Sequence, residues 1–371
     1  MNSQNPHKEH LGRTLRDDVL HGNILKSLRL DFRELKDFYI DDEKKARLEQ
    51  MGWLKRMLYL AWWYIKILLL RLSPARRVLL VIGMFLIITS GNIAWQSGTV
   101  RTNPETYLFG GAIIVFVLML ELKDKLLARN ELEAGRSVQY ALMPPERPKI
   151  PGWDVWLHSE PANDVGGDLV DYIQFDDKRH ALALGDVAGK GLRAALLMSK
   201  LQATVRALVP GYADVPGLPG LMSRINEIFI RDSLRSIFAS LVYIEVSSEN
   251  NTVRFVNAGH MPLLLMRKDR STVEEVGKQA PALGIVSHAV YPETSASLDQ
   301  GDTLIAYSDG ITDARNERGI FFGEGRLRSL VEKNAHLPPY QIGQNILKEV
   351  VWFRGDARAY DDISMILMRR I

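Results

Sequence analysis

Four stretches of this chain set an aspartate at the edge of an apolar, strand-like run, beside a glycine or a second acid. The most pointed is Gly185-Asp186-Val187-Ala188-Gly189-Lys190-Gly191. His180 to Leu184 reads as a strand that delivers the chain to Asp186. The glycines then permit a sharp turn, and a helical pattern starts at about Leu192. Gly166-Gly167-Asp168 precedes the apolar run Leu169 to Phe175, Ser308-Asp309-Gly310 follows Thr303 to Tyr307, and Asp361-Asp362 precedes Ile363 to Met368. One Asp-Gly alone is an ordinary turn, since Asp favours turns. Several such acids brought together repel unless a cation neutralises them. Hard divalent cations with oxygen ligands do so, waters completing the shell. The lysine-bearing loop is a poor phosphate loop: three residues, not four, separate its first Gly from Gly-Lys, and Gly191 stands where Ser or Thr is needed.

From about Leu142 to Arg370 the motifs LMPPERPKIPGWDV, NDVGGDLVDY, GDVAGKGLRAALLMS, FASLVYIEV, VNAGHMPLLL, ALGI, GDTLIAYSDGITDARNERGIFFGEGRL and DDISMILM occur in this order. This segment, more than half of the chain, resembles the bacterial serine phosphatases of the SpoIIE and RsbU type, a branch of the metal-dependent type 2C protein phosphatases. The resemblance implies two manganese or magnesium ions. It implies that Asp186 bridges both, that the Val187 carbonyl ligates one, that Asp309 and Asp361 complete the second site, and that Asp168 binds directly or through water. Asp361 is preferred to its neighbour Asp362 because the family's ligand opens this motif. Asp313, one helical turn beyond Asp309, resembles a carboxylate that supports an extra, weaker ion. Asp186 and Asp309 are the residues on which catalysis is expected to depend. The expected activity is hydrolysis of phosphoserine or phosphothreonine on a signalling protein, an anti-sigma-factor antagonist by family analogy. The rival is a catalytically silent binding module of the same fold.

Other residues invite chemistry and have plainer readings. His260, in Asn257-Ala258-Gly259-His260, is an acid or a ligand on one reading and part of a loop-shaping motif on the favoured one. Ser308 lacks the Gly-x-Ser-x-Gly elbow of a nucleophile. Lys190 and Arg193 either contact substrate phosphate or lie on a solvated helix start.

The elements that must position these residues follow from the hydrophobic period. Beyond Pro144, Pro145 and Pro148, Trp153 to Leu157, Leu169 to Phe175 and His180 to Asp186 read as strands, with a hairpin turn at Asp176 to Arg179. Leu192 to Leu208 reads as a helix with Leu197, Leu201, Val205 and Leu208 on one face, and Leu218 to Arg231 as a second with Leu221, Ile225 and Ile228 aligned. Ile237 to Val246 and Thr252 to Val256 form a hairpin. Leu263 to Met266, Thr303 to Tyr307 and Ile363 to Met368 add strands, and Gln341 to Phe353 a late helix. Strands in runs with helices in pairs argue for an α+β layered domain. The family resemblance makes this two packed antiparallel β-sheets flanked by helices, with the metals at one end.

The first third has a different character. The chain has 371 residues, no cysteine and a net charge of +3, which excludes a disulfide framework and thiolate metal sites and does not point to nucleic acid. Residues 1–56 are charged, without a signal-peptide core, and read as a cytoplasmic N-terminal region. Residues 57–76, with Trp62, Trp63 and Tyr64 and a central Lys66, read as an interfacial helix or an extra span. Residues 77–122 read as a two-helix transmembrane hairpin: Val78 to Val100 carries no charge, Asn103-Pro104 starts the return helix, and Gly110 and Gly111 allow a close partner. Basic residues at both ends, Arg71, Arg76 and Arg77, then Lys123, Lys125 and Arg129, place both ends on the cytoplasmic side of the inner membrane, with the catalytic domain in the cytoplasm. Residues 123–147 read as a linker helix, a tether or a connector that dimerises by family resemblance, and residues 148–371 as the phosphatase domain.

Overall fold

The computed structural model describes residues 51–90, 104–209, 217–232, 237–268 and 273–371. The N-terminal region up to residue 50, the outer turn of the hairpin and the second half of the run ending at Val100 lie outside the described residues. The chain divides into two compact units, up to Lys125 and from Leu126 to Ile371.

The first unit contains helix α1 (Trp53–Arg71), helix α2 (Pro74–Ser90) and the start of α3 (Pro104–Leu142). Pro74 and Pro104 open their helices, where the missing N–H costs nothing. α2 and α3 meet backbone to backbone at two glycines: a Cβ on Gly110 would fall 2.8 Å from the Gly83 carbonyl oxygen. Gly110 thus has the close partner its size allows, whereas Gly111 has nothing within 4 Å of such a Cβ. Arg76 pairs with Glu121 and Asp124, each at 2.7 Å. Leu108, Phe109, Val115, Phe116, Leu118 and Met119 are exposed. Among the described residues α3 alone is long and apolar enough to cross a membrane.

The second unit is a β-sandwich between two helical layers. Its elements are β1 (Trp153–Glu160), β2 (Asp168–Gln174), β3 (Arg179–Val187), α4 (Leu192–Leu208), α5 (Gly217–Asp232), β4 (Ala239–Ser247), β5 (Thr252–Ala258), β6 (Leu263–Met266), β7 (Val273–Val276), β8 (Gln279–Ala280), β9 (Glu293–Ser297), β10 (Thr303–Tyr307), the single turn α6 (Asp309–Thr312), α7 (Glu324–Lys333), α8 (Pro339–Arg354) and β11 (Ile363–Arg370). One sheet has the order β1-β11-β10-β6-β7, and the other β2-β3-β4-β5-β8, with β9 also on β5. Pairing is antiparallel except for the short β5–β8 contact, which is parallel.

Period two in the sequence produces the layers. Along β3, Leu182 and Leu184 face the space between the sheets, and Ala181 and Ala183 face α4 and α5. Along β11, Ile366 and Met368 face inward, and Met365 and Leu367 face α7 and α8. Both sheets are buried on both faces, so their central strands read as unbroken apolar runs rather than alternating ones. In α4 the buried stripe is Ala194, Met198, Leu201 and Val205, with Leu197 and Leu208 only partly covered.

One contact between layers admits no side chain at all. A Cβ on Gly343 of α8 would fall 1.8 Å from the ring of Trp156 on β1, which is 1% exposed. Gly343→Ala is expected to destabilise the domain by about 1–3 kcal/mol through overpacking. The measurement is the midpoint of urea unfolding followed by tryptophan fluorescence, and an unchanged midpoint contradicts the packing argument.

Candidate metal centre

Antiparallel pairing gathers the acids. Asp168 opens β2 and Asp186 lies near the end of β3, and the two are register partners. In the other sheet β10 and β11 run antiparallel with Tyr307 opposite Met365. The residues that follow β10, Ser308 and Asp309, therefore emerge beside those that precede β11, Asp361 and Asp362. Ser308 N–H donates to the Ser364 carbonyl at 2.9 Å.

Asp168, Asp186, Asp309 and Asp361 form one electrostatic group. Burial raises the Asp186 pKa from 3.8 to about 7, with Asp309, Asp361 and Asp362 adding to the rise. Burial, then Asp186 and Asp362, lifts Asp168 well above the usual carboxylate range. Burial, then Asp361 and Asp313, raises Asp309. Val187 follows Asp186, and its carbonyl oxygen would lie 3.1 Å from a Cβ on Gly167. All the residues expected to hold metal thus lie at one end of the sandwich.

Asp362 has a different task. Its carboxylate accepts N–H bonds from Ala162 at 2.7 Å, Gly167 at 2.6 Å and Asp168 at 3.3 Å. It pins the loop between β1 and β2 to the start of β11, leaving Asp361 as the more open acid of the pair. The Asp362 carboxylate explains one glycine and other neighbours explain the next: a Cβ on Gly166 would strike Asp362 Oδ2 at 2.5 Å, and one on Gly167 would crowd Ala194 and Asp186. Gly310 passes over the Asp362 carbonyl so closely that a Cβ would fall 1.9 Å from it. Ser308 is fully buried and structural: its hydroxyl donates to the Asp362 carbonyl and accepts from Ser364 N–H.

A residue outside the motifs completes the loop. Gln139, on the last turn of α3 and 5% exposed, donates to the Gly166 carbonyl at 2.9 Å and accepts from Gly166 N–H at 3.1 Å. Its only signal in the sequence is an amide on an otherwise amphipathic helix. Gln202 and Arg206 of α4 donate to the Leu142 carbonyl at the end of α3, and Arg206 is held by a bidentate pair to buried Asp171.

His260 belongs to a loop rather than to the acids. The Asn257 side chain accepts from His260 N–H and donates to the carbonyls of His260 and Met261. The ring shares a 2.7 Å hydrogen bond with Ser240, and burial lowers its pKa to about 4. Arg193 is exposed. Lys190 reaches Asp361, with Nζ 3.1 Å from Oδ2.

The donor set suits a hard cation. It is all oxygen, and Asp168 Oδ2 is buried without a hydrogen-bond partner. Among the described residues no group of three or more His, Asp or Glu side chains is spaced to hold a metal ion.

Comparison with known proteins bears on this arrangement. The family described as Stage II sporulation protein E (SpoIIE) matches residues 176–371. Protein IcfG of Synechocystis sp. is 27% identical over 274 residues, 67% of this chain, which spans only 43% of that relative's length. Phosphoserine phosphatase RsbU of Bacillus subtilis is 26% identical over 242 residues, 65% of this chain and 70% of RsbU. Among solved structures, the SiaA-PP2C domain of Pseudomonas aeruginosa superposes with a TM-score of 0.57 at 20% identity, covering 67% of this chain and 98% of that domain. That likeness establishes a type 2C phosphatase fold.

The raised acids carry a pH dependence. A carboxyl raised on folding binds its proton more tightly folded than unfolded, so its favourable contribution is complete below 3.8 and is lost as pH rises through about 7. In cation-free buffer the melting temperature of the wild type is therefore expected to fall, relative to Asp186→Asn, between about pH 4 and about pH 8. Parallel thermal melts of the two proteins in chelator check this, and parallel curves contradict it.

Proposed function

We propose that this chain, which belongs to the SpoIIE family, removes phosphate from phosphoserine or phosphothreonine on a protein partner, using two manganese or magnesium ions held by its aspartates. The meeting of Asp168, Asp186, Asp309 and Asp361 at one end of the sandwich carries the reading. Uncatalysed hydrolysis of a phosphate monoester is extremely slow, and its dianion repels an incoming nucleophile. When bound, two such cations would supply a water of lowered pKa and offset charge on the phosphoryl oxygens. Asp186 would bridge them and the Val187 carbonyl would complete one site. Asp309 and Asp361 would complete the other, with Asp168 ligating directly or through water and Asp313 supporting a weaker third. Asp362, saturated by backbone N–H groups, keeps the loop that carries Asp168 in place.

The substrate proposed is a phosphorylated signalling protein of the anti-sigma-factor antagonist type, by analogy within the family. The enzyme would sit on the inner membrane with its catalytic domain, residues 148–371, in the cytoplasm. Support for an anchor over residues 77–122 comes from the exposed apolar surface of α3 and the glycine contact between α2 and α3. Residues 57–76 would lie at the interface, with residues 1–56 in the cytoplasm. Exposed Leu122, Leu126, Leu127 and Val138 along α3 support a homodimer through the linker, residues 123–147, and the membrane helices.

The linker would act as a connector rather than a tether, because Gln139 bonds the loop that bears Asp168. Gln139→Leu is expected to lower phosphatase activity at least about tenfold, since a buried Gly166 N–H and C=O lose their partner at about 1–3 kcal/mol each. Full activity in that variant supports the tether instead.

For the reaction itself, manganese-dependent release of phosphate from a phosphoserine peptide is expected from the wild type. Asp186→Asn and Asp309→Asn should each lose it by about a thousandfold or more, a barrier increase of about 4 kcal/mol. Wild-type protein that binds partners and releases no phosphate with either metal would instead identify a silent binding module.

A further inference from the structure

The acidic end of the sandwich carries two cationic side chains that the hydrolytic scheme leaves unused, and one aromatic ring holds both. Lys190 leaves the loop after β3, where Gly189 and Gly191 both have positive φ. Its Nζ lies 3.1 Å from Asp361 Oδ2 and donates to the Tyr360 carbonyl. The same ammonium stands 3.8 Å from the centre of the Tyr360 ring. Arg315 arrives from the segment after Asp309. Its guanidinium lies 4.4 Å from the centre of the Tyr360 ring and 4.4 Å from that of Phe321. Among the described residues Arg315 has no ion pair, and its Nε is buried without a hydrogen-bond partner.

An arginine without an acid is unexpected here. Asp309, Asp313, Asp361 and Asp362 are its neighbours in sequence or through Tyr360, and none pairs with it. Stacking on two rings holds the guanidinium through cation–π attraction, while the fork of its terminal N–H groups makes no hydrogen bond among the described residues. That fork matches two oxygens of a tetrahedral phosphoryl group. Lys190 differs: Asp361 already neutralises part of its charge, so its share in binding an anion is smaller.

We propose that Arg315 and, secondarily, Lys190, both held over the Tyr360 ring next to Asp361, form the clamp that recognises the phosphoryl group of the substrate. This deepens the phosphatase reading and rests on it. The acids alone repel a phosphate dianion, and cations bound by the acids offset that repulsion at the reacting oxygens. The clamp would add a fixed positive group beside Asp361. Arg315 is thereby a binding residue for the anion, Lys190 an auxiliary one and Tyr360 a positioning residue.

The test uses the full-length protein in detergent with manganese, and reads four quantities: KM and kcat for a phosphoserine peptide, the inhibition constant for inorganic phosphate, manganese affinity by titration of free Mn2+ in electron paramagnetic resonance, and the melting temperature. Arg315→Met is expected to raise KM and the phosphate inhibition constant together by about tenfold to a hundredfold, the range for losing a hydrogen bond to a charged group. Manganese affinity should stay within about twofold, and Arg315→Lys should recover part of the loss, as a point charge without the fork does. Lys190→Met should raise both constants less. An unchanged phosphate inhibition constant in Arg315→Met overturns the clamp. So does a joint fall in kcat, manganese affinity and melting temperature that Arg315→Lys leaves unrepaired, because that pattern belongs to a structural brace. If the wild type hydrolyses no phosphoester, the reading of the reaction fails separately. Phosphate binding, followed as a phosphate-induced rise in melting temperature, then decides the clamp alone: a rise lost in Arg315→Met keeps it, and a rise retained there removes it.

Discussion

Asp168, which is buried, and Asp186, which is partly buried, are register partners on adjacent strands, and each makes the other's charge harder to bear. The rest of that end of the domain is arranged around this repulsion. A carboxylate in a low-dielectric setting takes up a proton or finds a cation. Burial is the largest cause of the shift at Asp168, Asp186 and Asp309 alike, and neighbouring acids come second. The sandwich therefore does more than bring acids together: by covering them it makes their raised pKa values a property of the fold.

Holding repelling groups in place calls for restraint from outside the group, and the backbone supplies it. Asp362 draws three N–H groups of the β1–β2 loop onto itself, so its charge serves as a clasp between the two sheets. Close approach is possible only because Gly166, Gly167 and Gly310 lack side chains at the points where that clasp and Asp186 come nearest. Ser308 and Ser364 tie β10 to β11 directly beneath, and Ser159 of β1 continues the chain of hydroxyls. The two acids that stand together in sequence thus divide the work. Asp362 is spent on geometry, and Asp361 is the more open of the two, paired with Lys190.

Much of this was legible in the sequence, for physical reasons that also explain what was not. The helix from Leu192 to Leu208 and the strand from Thr303 to Tyr307 are bounded by glycine or acid-bearing turns and have unmistakable periods, and the structure has both with those ends. The convergence of acids followed from strand-edge position together with the family resemblance. β9, Glu293–Ser297, escaped because its residues are polar and half-exposed on a strand that pairs only with β5. Helix α7, Glu324–Lys333, escaped because just Leu327 and Val331 of its ten residues are buried, too few to set a period. Ile228 looked central to α5 by spacing, yet Met222 and Phe229 hold the buried positions beside Leu221 and Ile225. The task of Asp362 depends on partners nearly two hundred residues away, which no local pattern encodes.

Gln139 is the clearest case of such distant dependence, and it bears on how the catalytic end is governed. A side-chain amide that both donates to and accepts from one peptide group imitates a strand neighbour, and it does so for Gly166, next to the residue that Asp362 clasps. The end of the same helix is capped by Gln202 and Arg206 of α4, and α4 begins at the glycine turn that follows Asp186. The helix therefore touches the segments carrying two of the acids by two separate routes. A rigid helix cannot rotate or slide without breaking both, and each carries groups that are expensive to leave unpaired when buried. A tether would need neither route. The pairing of a stiff element with two hydrogen-bonded anchors would allow a displacement of the linker to alter the spacing of the carboxylates.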